Sequence, residues 1–127
     1  LKLVAPDILR AYDRFNKKLH SIYTIFHSSI LFERGWDKKM DRSISIFASH
    51  TDRISRCKQL TKMGLLQIND LSKTEMDQLE KNRLSDYTIH NYNDETSAFG
   101  DTFNQVCKVD QKIIDTYLFN EATKRVM

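Results

Sequence analysis

Arg83 and His90 stand seven residues apart in the stretch NRLSDYTIHNY, residues 82–92. Histidine titrates near neutral pH, so it can take a proton from a ribose 2′-hydroxyl or return one to a leaving oxygen. Arginine presents a permanent planar charge to a phosphate as negative charge builds in the transition state. A pair of this kind could cleave RNA without a metal. On a regular helix seven steps amount to about 700°, which leaves the two side chains within about 20° of each other and their Cα atoms about 10 Å apart. Both could grip one phosphodiester, or meet their copies across a dimer. Met76 and Leu79 project close to the same direction, so this face is expected to look into a groove or a partner.

Little else in the chain carries chemistry. There is no Gly-rich phosphate loop, no Gly-x-Ser-x-Gly elbow and no His-Glu-x-x-His zinc site. His20 and His27 lie two turns apart on the first expected helix with no further ligands beside them, and His50 flanks an apolar stripe. No metal site and no cofactor are expected. Asp94 and Glu95 read as acids at a helix start, favoured there by the helix dipole. Cys57 and Cys107 are lone thiols without metal-ligand spacing, which predicts a reducing intracellular setting, nuclear or cytosolic.

The 127 residues are enough for one domain with its own core. The chain begins at Leu1, and a C-terminal fragment of a longer protein is expected. A net charge of +3, from 20 Lys and Arg against 17 Asp and Glu, is mild and scattered, compatible with RNA without arguing for it. No apolar run reaches the ~20 residues of a membrane span.

The elements that must position the pair read as helices, because three Gly and one Pro leave few breaks. Pro6-Asp7 opens a stripe of Ile8, Tyr12, Phe15, Leu19, Ile22, Phe26 and Ile30 at steps of four and three. ERGWDKK, residues 33–39, breaks it. A second stripe carries Met40, Ile44, Phe47, Ile54 and Cys57 and stops near Gly64. Residues 65–75 form a connector, pinned by Leu65, Leu66 and Ile68, whose Ser72 and Glu75 read as a capping box. The next helix aligns Met76, Leu79, Arg83, Tyr87 and His90. Residues 91–96 turn the chain, and a last helix carries Phe99, Phe103, Val106, Val109, Ile113 and Tyr117. No period-2 strand stands out. The expected fold is all-α, an antiparallel bundle of about four main helices over residues 1–127. Seven Phe, five Tyr and one Trp in so small a bundle also predict an apolar surface for self-association.

Arg83-x6-His90 followed by Tyr92, set before a final helix, resembles the signature of the HEPN superfamily. A second match, Arg14-x5-His20, falls in the first helix. The resemblance implies a small helical homodimer in an RNA-processing protein, with Arg83 and His90 as catalytic pair and Tyr92 as the trailing tyrosine. Arg83, Tyr87, His90 and Tyr92 would then contact RNA. More narrowly, the chain looks similar to the C-terminal helical domain of nuclear endoribonucleases that join a PIN nuclease to such a tail in messenger-RNA quality control. The implied function is an accessory domain supplying dimerisation and RNA contact, with cleavage by Arg83 and His90 as a further capacity. The alternative is a non-catalytic dimerisation or scaffold module, in which Arg83 meets an acidic neighbour and His90 is packed.

Overall fold

The computed structural model describes residues 5–18, 20–92 and 98–126. Leu19, Asp94 and Glu95, and most of the turn expected over residues 91–96, lie outside them. Helix α1 spans Ala5–Asn16, with Pro6 in its first turn, where a missing N–H does no harm. The stripe expected to run on to Ile30 ends there. Beyond Asn16 the β-branched residues Ile22, Thr24 and Ile25 crowd a helical backbone. Local side-chain bonds compete with it too. The Thr24 hydroxyl donates to Asn16 Oδ1 at 2.8 Å and the Ile30 N–H to Ser28 Oγ at 3.2 Å. Two aromatic members of the stripe, Tyr12 and Phe26, still meet, while Phe15 is exposed. Tyr12 and Phe26 lie edge to face at 5.1 Å, and Phe26 and Trp36 at 5.7 Å. Trp36 opens a 3-10 turn, Trp36–Lys39, and is buried.

The expected all-α bundle is corrected by the next segment. Residues Ile44–Phe47 form strand β1 and Tyr87–His90 form strand β2, paired in parallel with Ile44 opposite Tyr87 and Phe47 opposite His90. The fold class is α/β. Parallel strands need a long crossover, and here it holds helices α2 (His50–Leu60), α3 (Leu65–Lys73) and α4 (Gln78–Leu84). Helix α5, Ala98–Val126, follows β2 and packs on it. The strands form where they do because polar side chains hold them. Asp86 Oδ2 accepts from the Ser43 N–H at 2.7 Å and from the Ser43 hydroxyl at 3.1 Å, and the Asp86 and Tyr87 N–H groups return to Ser43 O. One residue pair on, the buried Ser45 hydroxyl donates to Asn82 Oδ1 at 2.5 Å and lies near Ser85 and Thr88. That hydroxyl cluster packs α4 on the sheet.

Helix boundaries differ from expectation for equally local reasons. Ser72 lies inside α3, its hydroxyl donating to Asn69 O, and Asp77 caps α4 by accepting from the Leu79 and Glu80 N–H groups at 3.0 and 3.2 Å. Gly64 precedes α3, with its N–H held by the Gln67 side chain at 3.1 Å, and does not end α2. No helix among the described residues is long and apolar enough to cross a membrane.

One ion pair ties the loop before Trp36 to the crossover. Lys81 Nζ lies 2.9 Å from Glu33 Oε1 and donates to Ser29 O, while Glu33 Oε1 also accepts the Met76 N–H at 3.0 Å. Both side chains are mostly buried, 21% exposed for Glu33 and 14% for Lys81. Burial pushes the Glu33 carboxyl up from its ordinary 4.5. Hydrogen bonds from Lys81 and from the Met76 and Glu33 N–H groups, with the Lys81 charge, outweigh that and hold it below. The stabilisation is therefore present above the ordinary glutamate range and lost as pH falls through the lowered folded value. Glu33→Gln is expected to cost about 1–3 kcal/mol at pH 7. The gap to wild type should close in urea melts on acidification; a gap independent of pH would contradict this account.

Candidate functional site

In open α/β sheets ligands bind outside the carboxyl ends of parallel strands. In this chain that end is formed by Phe47 and His90, the last residues of β1 and β2. Two residues after β1, Ser49 caps α2 by accepting the Asp52 N–H at 3.1 Å. The helix then carries His50, Arg53, Ile54 and Cys57 at i, i+3, i+4 and i+7, one face turned towards α3. That face lines a cavity of about 350 Å³, with Arg56, Met63, Ile68, Leu71, Ser72 and Glu75 completing the wall. Ile68 is buried and anchors α3 beneath it.

Two guanidinium groups give the cavity its chemistry. Arg53 Nε is buried without a hydrogen-bond partner. Arg56 Nη2 donates to the Asn91 carbonyl at 3.1 Å, just past the end of β2. Among the described residues neither arginine is paired to a carboxylate, as is also true of Arg14, Arg34, Arg42 and Arg125. Buried polar groups are ordinarily satisfied, so the orphaned Arg53 nitrogen beside Arg56 leaves guanidinium donors available in a wall that also holds Glu75. Arginine's planar fork matches the oxygens of a phosphate.

The residues singled out by sequence are placed elsewhere. The helix expected through Met76–His90 ends at Leu84, with Ser85 as its cap, and His90 belongs to β2. Arg83 and His90 thus occupy different elements, and the common helical face on which a shared phosphodiester grip depends is absent. Arg83 is solvent-exposed and grips Glu80 with both prongs, Nη2 to Oε1 at 2.6 Å and Nε to Oε2 at 3.0 Å. Glu80 holds the guanidinium above its ordinary pKa, and Arg83 in turn lowers the Glu80 carboxyl. The His90 ring lies between Phe47, edge-on at 5.4 Å, and Tyr92, stacked at 5.5 Å, with its Nδ1 buried and unpartnered. Tyr87 meets Lys112 Nζ at 6.0 Å from its ring centroid. Of the four, only His90 and Tyr92 come together. Among the described residues no cluster of His, Cys, Asp and Glu could hold a metal ion.

Arg53 and Arg56 have no sequence signature of their own, because SHTDRISR reads as an ordinary charged helix face. The available clue is strand, cap and helix in succession, ISIF then Ala48-Ser49 then α2, which places the helix's first residues at a sheet's carboxyl end.

Comparison with known families replaces the HEPN resemblance. No curated protein matches the chain in sequence. A family model, CoaE: Dephospho-CoA kinase, matches residues 2–97, from before α1 through both strands and the whole crossover. The HEPN motif spans only residues 82–92, and its helical register is broken at Ser85. The endoribonuclease and messenger-RNA surveillance reading is overturned with it, and the family match gives the scaffold alternative no support. The parallel strand pair and its helical crossover are consistent with a P-loop kinase-like fold, although these residues hold no Gly-rich phosphate loop. This chain belongs to the dephospho-CoA kinase family.

Proposed function

We propose that this chain serves phosphoryl transfer to dephospho-CoA, and that Arg53 and Arg56 hold phosphate groups in that reaction. The observation that carries the reading is the pair of guanidinium groups, lacking carboxylate partners among the described residues, in the cavity between α2 and α3. Phosphoryl transfer asks a protein mainly for positioning and for charge that meets the oxygens of the moving group. Gly35, Gly64 and Gly100 form no Gly-rich phosphate loop. Within these residues, phosphate contact therefore falls to side chains, and arginine is the residue type best shaped for it. His50, exposed at the start of α2, borders the same cavity and adds a polar rim.

Calorimetric titration of the protein with dephospho-CoA, and separately with ATP, tests this. Saturable binding is expected to weaken as salt is raised, since exposed charge is screened with a Debye length of about 8 Å at physiological ionic strength. Inorganic pyrophosphate should compete. Absence of binding by a folded protein at millimolar ligand would overturn the proposal.

A further inference from the structure

Gln105 lies on α5, beyond the residues matched by the family model. Its side-chain amide does what a neighbouring strand would do for β2. The His90 N–H donates to Gln105 Oε1 at 2.8 Å, and Gln105 Nε2 donates to the His90 carbonyl at 3.0 Å. The Thr102 hydroxyl adds a second bond to that carbonyl at 3.3 Å. Backbone groups alternate along a parallel strand. The Tyr87 and Asn91 N–H groups point to β1, bonding Ser43 and Phe47 carbonyls, the latter at 2.8 Å, so those of His90 point away from it. Without Gln105 the His90 N–H would have no partner among the described residues, and the carbonyl would keep only Thr102.

The next residue is the link to the site. The Asn91 N–H is held by Phe47 O, and the Asn91 carbonyl receives Arg56 Nη2. The His90 carbonyl and the Asn91 N–H belong to one planar peptide group, held by Gln105 and Thr102 on one edge and by Phe47 O on the other, and the Asn91 carbonyl is set one residue's φ and ψ beyond it. We infer that Gln105 is a positioning residue: by clamping the His90 backbone it aims the Asn91 carbonyl, and through it the Arg56 guanidinium, at the phosphate-binding cavity. The inference rests on the proposed phosphate role of Arg56 and extends it to a helix outside the family match. Gln105 itself touches no ligand.

Gln105→Met keeps the length of the side chain and removes both bonds. Gln105→Glu keeps an acceptor for the His90 N–H and loses the donor to its carbonyl. In the full chain, Gln105→Met is expected to speed His90 amide exchange at least 10-fold and to move the Arg56 Nε–H NMR resonance while leaving that of Arg53 in place. Pyrophosphate and dephospho-CoA should each bind about 5- to 10-fold more weakly, with Gln105→Glu between Met and wild type. An Arg56 resonance unmoved in a folded variant with fast His90 exchange overturns the inference. If wild type binds neither ligand, the phosphate reading fails, and the Arg56 resonance alone decides whether Gln105 positions it. Should Gln105→Met fail to fold, the same resonance in Gln105→Glu decides the question.

Discussion

The double variant Arg53→Ala, Arg56→Ala is expected to bind dephospho-CoA about 100-fold more weakly than wild type, close to 3 kcal/mol. A hydrogen bond to a charged group contributes about 1.5–3 kcal/mol, and two that share one anion do not add in full. Charge alone does not account for the expected loss. Arg→Lys at either position keeps the cation and removes the fork, so about 10-fold weaker binding is expected for each. Helicity should be nearly unchanged, because Arg53 Nε has no protein partner to lose and Arg56 gives up one bond, to Asn91 O. Arg83→Ala is the contrasting control. Its guanidinium is exposed and already held by Glu80, so ligand binding should not change. Titration of these variants by calorimetry checks the ranking. Equal loss in Arg83→Ala would show that net positive charge, and not the cavity, governs binding.

Trp36→Ala is expected to be the most damaging single substitution for stability, by about 3–5 kcal/mol. Trp36 is only 6% exposed, one of few buried apolar residues among those described. Its ring ends the edge-to-face series that begins at Tyr12 and passes through Phe26. Its backbone N–H also closes the preceding turn on Leu31 O at 3.0 Å. Losing the ring removes the contact through Phe26 to Tyr12 of α1, beyond the transfer term, while the backbone bond to Leu31 remains. Trp36→Phe keeps an aromatic edge for Phe26 and should cost roughly half as much. Urea unfolding followed by far-ultraviolet circular dichroism measures both. A loss below about 1 kcal/mol for the alanine variant would place the core elsewhere.

The helices are legible in the sequence where local signals govern them. Pro6-Asp7 marks the start of α1, and the apolar series from Phe103 to Tyr117 lies within α5. The sheet is hidden by an inverted pattern. Hydropathy places apolar residues inside, yet in and beside β1 Ser43 and Ser45 are buried while Ile46 is 61% exposed. The inner positions are stabilised by hydrogen bonds to Asp86 and Asn82, partners about forty residues away that no window along the chain can see. With Ile44 and Phe47 three apart, a four-residue strand passes for a helical turn, an ambiguity inherent in short apolar runs. The same ambiguity carries His90 onto the helix of Arg83. Arg53 and Arg56 escape notice for a different reason. Their residue types are visible in sequence, but that neither makes an ion pair with a described carboxylate, although Glu75 lines the same cavity, is a fact of packing.

The central claim is that phosphate groups bind between Arg53 and Arg56, and the Arg Nε–H NMR resonances of the full chain test it most directly. On titration with dephospho-CoA, the resonances of Arg53 and Arg56 should shift together to saturation, while that of Arg83, closed on Glu80, stays where it is. A titration that moves Arg83, or that leaves Arg53 and Arg56 unmoved while ligand binds, would contradict the account.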